Sequence, residues 1–274
     1  MYQINNILNT IIQGNTLEVL KNIPDNSINM VITSPPYWGL KDYGMQGQLG
    51  LERTFKEYIN NICNVFDEAK RVLRKEGTCW VNISDTYSAN RTYQVTGTKQ
   101  VKNSQPEKIK QPQAKDNNYQ EKCLYCIPER FKLEMIDRGW ICRNEIIWHK
   151  PNAMPESVRD RFTQDYEKLF LFVKSRKYYF VQQKEMLNGV LRNKRSVWSI
   201  NTQPLKNTHF ATFPEELIEI PIKAGCPENG IVLDLFIGSG TTAVVAKRLN
   251  RNYIGIELNP EYIKIAENRI NNIK

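Results

Sequence analysis

Ile231-Val232-Leu233-Asp234-Leu235-Phe236-Ile237-Gly238-Ser239-Gly240 is an apolar run that meets an acid and then breaks into a glycine turn. A short apolar run bounded by glycine reads as a strand buried on both faces. Thr241 to Leu249 follows with helical spacing, and Tyr253-Ile254-Gly255-Ile256-Glu257 reads as a second strand ending in an acid. A last helix runs from Pro260 to Ile270. Strand, glycine turn, helix and strand in this rhythm predict an α/β fold with a parallel sheet. Such a turn lets backbone approach a ligand closely and points amide N–H groups at it. Glu257, 23 residues after Asp234, is placed to accept hydrogen bonds from ribose hydroxyls. The turn has only two of the three glycines of a dinucleotide fingerprint, and Thr241 and Thr242 follow. A pyrophosphate would want the third glycine, whereas a nucleoside without phosphates, such as S-adenosylmethionine, would not. A tight turn of purely structural purpose is the alternative.

Some two hundred residues earlier, Ile28 to Ile32 is another short apolar run, ending in Thr33-Ser34-Pro35-Pro36-Tyr37-Trp38. The two prolines cannot donate ladder hydrogen bonds or enter a helix interior, so the predicted strand stops there. Its tip then carries a hydroxyl, rigidly aimed carbonyls and two flat rings, equipment suited to a planar substrate with an amino group. A strand-ending turn with a packed aromatic is the plainer alternative.

Between these stretches the predicted elements alternate. Ile11 to Asn15 reads as a short strand and turn, and Leu17 to Ile23 as a helix stopped by Pro24. Gly39 to Gly50, rich in glycine and tyrosine, reads as a mobile loop. Phe55 to Leu73 has an amphipathic stripe, Thr78 to Ile83 reads as a strand, Ile127 to Arg138 as a helix, Ile141 to Trp148 as a strand and Pro214 to Ala224 as a helix. Ser88 to Gln120 is Asn-, Gln-, Lys-, Thr- and Ser-rich and cannot bury a core, so it reads as a long mobile loop, either a disordered insertion or one that orders on an anionic ligand.

The 274 residues fit one large α/β domain, or one domain with a lobe inserted, and the net charge of +9 favours an anionic partner, nucleic acid first. Twelve Lys and Arg against five acids between Lys150 and Lys206 put +7 of that charge in one segment, interleaved with Phe170, Phe172, Tyr178, Tyr179, Phe180 and Trp198. Basic residues mixed with aromatics suit a nucleic-acid surface, with a solvated strand face as the alternative. No signal peptide or membrane-spanning run is evident, and six cysteines without an export signal suggest reduced thiols in the cytoplasm.

Ser34-Pro35-Pro36-Tyr37 resembles the catalytic motif of DNA amino-methyltransferases, and Phe236-x-Gly238-x-Gly240 resembles their cofactor motif. With the catalytic strand first, the cofactor strand last and the basic segment between, the order resembles the β group of these enzymes. Trp148-His149-Lys150-Pro151-Asn152 and Phe213-Pro214-Glu215 extend the resemblance over nearly the whole chain. The resemblance implies a Rossmann-like α/β sheet in circularly permuted order, built from residues 1–150 and 207–274, with 151–206 as an inserted target-recognition region. It implies methyl transfer from S-adenosylmethionine to an exocyclic amino group of double-stranded DNA, with room for a cognate restriction endonuclease and a homodimer. Ser34 and the Pro35 carbonyl, held by Pro36, would accept from the amino group, and Tyr37 would stack on a flipped base. Asp234, Phe236, Gly238, Ser239, Gly240, Thr241, Thr242 and Glu257 would hold the cofactor, with Phe213 nearby. The family often has an Asp near the adenine where this chain has Asn15, whose amide oxygen could still accept. Ser at the motif's first position resembles enzymes that methylate cytosine N4; adenine N6 is the alternative. Carbon-5 methylation needs a thiolate, typically in a Pro-Cys pair, and no Pro-Cys occurs.

Cys123-Leu-Tyr-Cys126 invites a zinc reading, but there is no second such pair and only Cys142, His149 and His209 could complete it. Buried thiols and no metal are the expectation. Asp85 reads equally as a strand-end acid facing the cleft or as a cap.

Overall fold

The computed structural model describes residues 1–88, 116, 118–203 and 213–273, so most of the Ser88–Gln120 segment lies outside the described residues, as does His209. The core is an eight-stranded sheet. Its strands in chain order are β1 (Thr10–Gln13), β2 (Ile28–Thr33), β3 (Leu73–Ile83), β4 (Ile141–His149), β5 (Tyr166–Val173), β8 (Val197–Ser199), β9 (Ile231–Asp234) and β10 (Asn252–Glu257). The spatial order is β1-β10-β9-β2-β3-β5-β4-β8.

The strands read as almost unbroken apolar runs because both faces are covered. Ile231, Leu233, Ile254, Ile256, Cys79, Val81, Phe170 and Phe172 fall in one core, beneath α1 (Thr16–Leu20), α2 (Phe55–Val72) and α3 (Ile127–Asp137). The alternate residues Val232, Tyr253, Trp80, Leu169, Leu171 and Val173 fall in the other, with α4 (Glu215–Gly225), α5 (Thr241–Arg248) and α6 (Pro260–Asn271). This period of two produces a three-layer α/β/α sandwich. The Thr54 hydroxyl caps α2 by accepting from the Glu57 N–H (3.1 Å), and the buried stripe Tyr58, Ile62, Val65, Phe66 and Ala69 seats the helix on the sheet.

In two respects the fold departs from expectation. The sheet is mixed: β5 lies antiparallel between β3 and β4. Within residues 151–203, β5 and the edge strand β8, which pairs with β4, also belong to the main sheet. Phe170 and Phe172 are fully buried, with Phe172 edge-on to Phe131 at 6.0 Å, and Trp198 is buried too. Those aromatics answer to the core. Among the described strands, only the hairpin of β6 (Lys184–Leu187) and β7 (Val190–Asn193) stands outside the main sheet. Its Asn188-Gly189 turn has positive φ at both residues, a pairing that favours tight hairpins. Tyr87 bridges Leu124, and Ser88 exchanges backbone bonds with Lys122 and Cys123, which pins these two stretches together. Among the described residues no helix is long and apolar enough to cross a membrane.

Phe172→Ala should cost about 3–5 kcal/mol of stability, the range for emptying a packed aromatic site. Urea denaturation checks this. An unchanged midpoint with weakened DNA binding would return the residue to a surface role.

Candidate active site at the strand ends

β9 leads through α5 to β10 on one side of the sheet, while β2 leads through α2 to β3 on the other, and β2 and β9 are parallel neighbours. The chain therefore diverges between these two strands, and the crevice beyond their carboxyl ends is where α/β sheets bind ligands. Both motifs open from this point: Ser34 follows β2 and the glycine turn follows β9.

One carboxylate joins them. Asp234 is buried; its Oδ1 accepts from the Thr33 hydroxyl (2.7 Å) and the Phe236 N–H (3.1 Å), and its Oδ2 from the Thr242 hydroxyl (2.5 Å). Burial pushes the carboxyl up to about 6, against the opposing pull of these donors. Asp234 and Thr242 thus tie the two motifs together from beneath. Ser239 and Thr241 are likewise engaged, their hydroxyls held at 3.0 and 3.1 Å by the Arg269 guanidinium of α6.

What faces outward at the turn is backbone. Gly238 and Gly240 have φ of +50° and +84°, a left-handed region that favours glycine. A Cβ on Gly240 would come within 2.8 Å of Ala266 Cβ, whereas one on Gly238 would meet nothing nearer than the Phe236 carbonyl at 3.9 Å. The space beside Gly238 is the cradle a ligand would fill. Glu257, half-buried at the end of β10, accepts from the Gly238 N–H (2.9 Å) through one oxygen and from the Asn259 N–H (2.8 Å) through the other. Each oxygen keeps lone-pair capacity, and burial raises the group's pKa. A backbone cradle beside an acceptor on the neighbouring strand fits a nucleoside with ribose hydroxyls. Asn15 lies beside Glu257, because Gln13 and Glu257 are register partners, but it is exposed and occupied: it caps α1 through Leu17 N–H (3.0 Å) and donates to the Gly47 carbonyl (3.2 Å). Phe213 is partly buried and packs against the core that α4 and α5 share.

The Ser34–Trp38 turn is anchored from behind. Trp38 is buried edge-on to Tyr125 at 5.0 Å and donates to the Glu52 carbonyl (2.9 Å), while the buried Tyr58 hydroxyl donates to the Pro36 carbonyl (2.8 Å). The Pro35 carbonyl accepts no hydrogen bond from the described residues. Tyr37 is partly buried, with its hydroxyl 3.2 Å from Ser34 Oγ, 2.7 Å from a Glu167 oxygen and 3.3 Å from Asn82 Oδ1. The loop expected to be mobile, Gly39–Gly50, closes on itself (Gly39 N–H to Gly50 carbonyl, 2.8 Å) and lays Tyr43 edge-on to Tyr262 of α6.

Sequence inspection missed Thr33, Asn82, Lys150, Glu167 and Arg269. Asn82 and Glu167 did carry a signal: polar residues inside otherwise apolar strands need partners. The Cys123-x-x-Cys126 pair is not gathered as a ligand set. Among the described residues the one close grouping of ligand atoms is Asp85, Cys126 and Glu129. Asp85 caps α3, its Oδ1 accepting from the Ile127 N–H at 3.0 Å.

A family model described as DNA methylase matches residues 28–268. The chain is 45% identical over 265 residues to the Type II methyltransferase M.Cfr9I of Citrobacter freundii, covering 95% of this chain and 87% of that one. It is 41% identical to M.SmaI of Serratia marcescens, covering 95% and 90%. The fold superposes on the cytosine-N4-specific PvuII DNA methyltransferase with a TM-score of 0.71 at 21% identity, covering 96% of this chain and 87% of that one. It superposes on a putative DNA modification methylase of Thermus thermophilus complexed with S-adenosyl-L-methionine with a TM-score of 0.64 at 22% identity, covering 95% and 94%. At these identities the structural likenesses establish the fold.

Because the Asp234 carboxyl lies near 6 in the folded chain and at 3.8 ordinarily, the folded state keeps a proton that the unfolded state has released between those values. Its contribution is most favourable below pH 4 and declines as pH rises to 6. Asp234→Asn keeps the Thr33 and Phe236 bonds and can donate to Thr242. The stability of the wild type relative to this variant should therefore fall by up to about 3 kcal/mol between pH 4 and 6 and stay level above. Paired urea titrations across that range check it; a level difference throughout would mean that the donors offset burial completely.

Proposed function

This chain belongs to the DNA methylase family, and we propose from that premise that it methylates cytosine N4 within a specific duplex DNA sequence, using S-adenosylmethionine. The observation that carries this reading is the direct link between the two motifs, Thr33 to Asp234, at the point where the sheet diverges. It supports a single cleft in which a methyl donor over the glycine turn meets a base held at Ser34-Pro35-Pro36-Tyr37.

When bound, S-adenosylmethionine supplies an electrophilic methyl group on a sulfonium centre. The chain's own residues do the rest. The Phe236–Gly240 backbone admits the nucleoside, and the Glu257 carboxylate accepts from its ribose hydroxyls. Ser34 Oγ and the Pro35 carbonyl accept from the amino N–H groups of the target, which concentrates electron density on nitrogen and aims its lone pair. Their fixed placement, set by the prolines and by Tyr58 behind them, supplies electrostatic preorganisation. The Tyr37 ring stacks on a base turned out of the duplex.

Specificity falls to the part of 151–206 outside the sheet. Arg176, Lys177, Lys184 and Arg195 are exposed there, whereas Arg192 and Lys194 pair with Glu185. Exposed cations near the β6–β7 hairpin suit phosphate contacts, which position the protein without reading sequence. Ser34 favours cytosine N4 over adenine N6 through the resemblance of its motif.

Unmethylated duplex DNA incubated with methyl-labelled cofactor and digested to nucleosides should yield label in N4-methyl-2′-deoxycytidine. Label in N6-methyl-2′-deoxyadenosine would overturn the base assignment and leave the site standing. Ser34→Ala should lower kcat at least about a hundredfold, the scale for removing one preorganised partner, with cofactor affinity kept. Loss of cofactor binding by that variant would place the two sites wrongly.

A further inference from the structure

Ser34 can serve the target amino group only if its own proton points elsewhere. A serine hydroxyl both donates and accepts, and a hydroxyl donating into the cleft would compete with the incoming amino group. The surroundings of Tyr37 decide the direction. Glu167 presents one carboxylate oxygen to the Tyr37 hydroxyl at 2.7 Å, and its other oxygen is held in an ion pair by Lys150. The Lys150 ammonium lies over the Trp148 ring, 4.6 Å from its centroid, and can only donate. Asn82 adds a second acceptor: its Nδ2 donates to the Lys168 carbonyl (3.2 Å), which turns Oδ1 toward the Tyr37 hydroxyl at 3.3 Å. Two of the three polar neighbours of that hydroxyl are acceptors, and its single proton goes to the nearer and charged one, Glu167. Toward Ser34, 3.2 Å away, the phenol oxygen offers a lone pair, and the Ser34 proton is drawn to it. Burial and the Glu167 charge raise the Tyr37 pKa well above its ordinary value, which keeps the phenol protonated and donating.

We propose that Glu167, locked by Lys150, is a positioning residue that fixes the hydroxyl chain Ser34→Tyr37→Glu167 in one direction, so that Ser34 presents only acceptor lone pairs to the target amino group. The proposal rests on the assignment of Ser34 as an acceptor for that group. It also gives β5 a functional tie to the chemistry: the strand buried between β3 and β4 carries Glu167 near its start. The Glu167→Gln change is then far from conservative. Lys150 claims the amide oxygen, which turns the amide NH2 toward Tyr37 and replaces the nearest acceptor by a donor.

The test is a double-mutant cycle in full-length protein with Glu167→Gln, Tyr37→Phe and the pair, assayed for methyl transfer to duplex DNA. Glu167→Gln is expected to lower kcat at least about tenfold, less than outright loss of a preorganised group, with cofactor Kd and KM for DNA within about threefold. Tyr37→Phe keeps the ring for stacking and removes only the hydroxyl, so it should give a similar kcat loss. The pair should be no worse than Tyr37→Phe alone, because the chain is already broken. Wild-type kcat in Glu167→Gln, losses that multiply fully in the pair, or an effect confined to KM would overturn the proposal. If Glu167→Gln fails a thermal-melt check of folding, Tyr37→Phe decides, and wild-type kcat in that variant overturns it. Ser34→Ala in the same assay separates this proposal from its premise. If Ser34→Ala keeps turnover, the acceptor assignment fails and the proposal falls with it. If it loses turnover while Glu167→Gln keeps wild-type kcat, only the hydroxyl direction is wrong.

Discussion

Asp234 is a carboxylate under the floor of a cleft, held by Thr33, Thr242 and the Phe236 amide. Burying such a group is unfavourable unless hydrogen bonds replace water, and here donors from three points of the chain do so. Thr33 belongs to the strand that delivers Ser34, and Thr242 to the helix that starts at the glycine turn. A displacement of either motif would strip a donor from a buried acid. The relative placement of two stretches some two hundred residues apart is thus tied to the cost of an unsatisfied charge, which is steeper than the cost of a loosened apolar contact.

The same principle recurs around the cleft: groups that could face a ligand are held by partners behind them. Tyr58 takes the Pro36 carbonyl, Trp38 plugs the core, and Arg269 gathers the hydroxyls of Ser239 and Thr241. What is left for a ligand is a small set of acceptors in fixed positions. A site of this kind changes little when charge develops, and that is the source of electrostatic preorganisation. Glu167 and Lys150 extend the arrangement to the direction of a single hydroxyl proton.

The strands and helices were legible because their signals are local. Apolar runs broken by Gly238 or Pro35 mark strand ends, and the stripe of Phe55–Val72 marks a helix, whatever the rest of the chain does. β5 was not legible in the same way. Phe170 and Phe172 sit among lysines and arginines and read as a charged, aromatic surface, yet both faces of β5 are covered, so those rings lie in the core, while Lys168, on their face nearer the start of the strand, meets the acids Glu129 and Glu145. The Asn188-Gly189 turn was a local hairpin signal that the charge of its surroundings obscured.

The sequence by itself determined the α/β class, the two motifs and the residue types at the chemistry, because turn geometry, proline and glycine act over a few residues. Only the tertiary structure decided what each of those residues is bonded to. Asp234, Thr242, Ser239, Thr241 and Asn15 carry the expected functional groups, and their oxygens engage Thr33, Arg269 and the cap of α1. Glu167 stands beside Tyr37 because β5 turns back antiparallel against β3, and Lys150, just past the end of β4, meets Glu167 because β4 pairs with β5. Hydrogen-bond partners are set by strand order and register, which join residues far apart in the chain, and no local pattern encodes them.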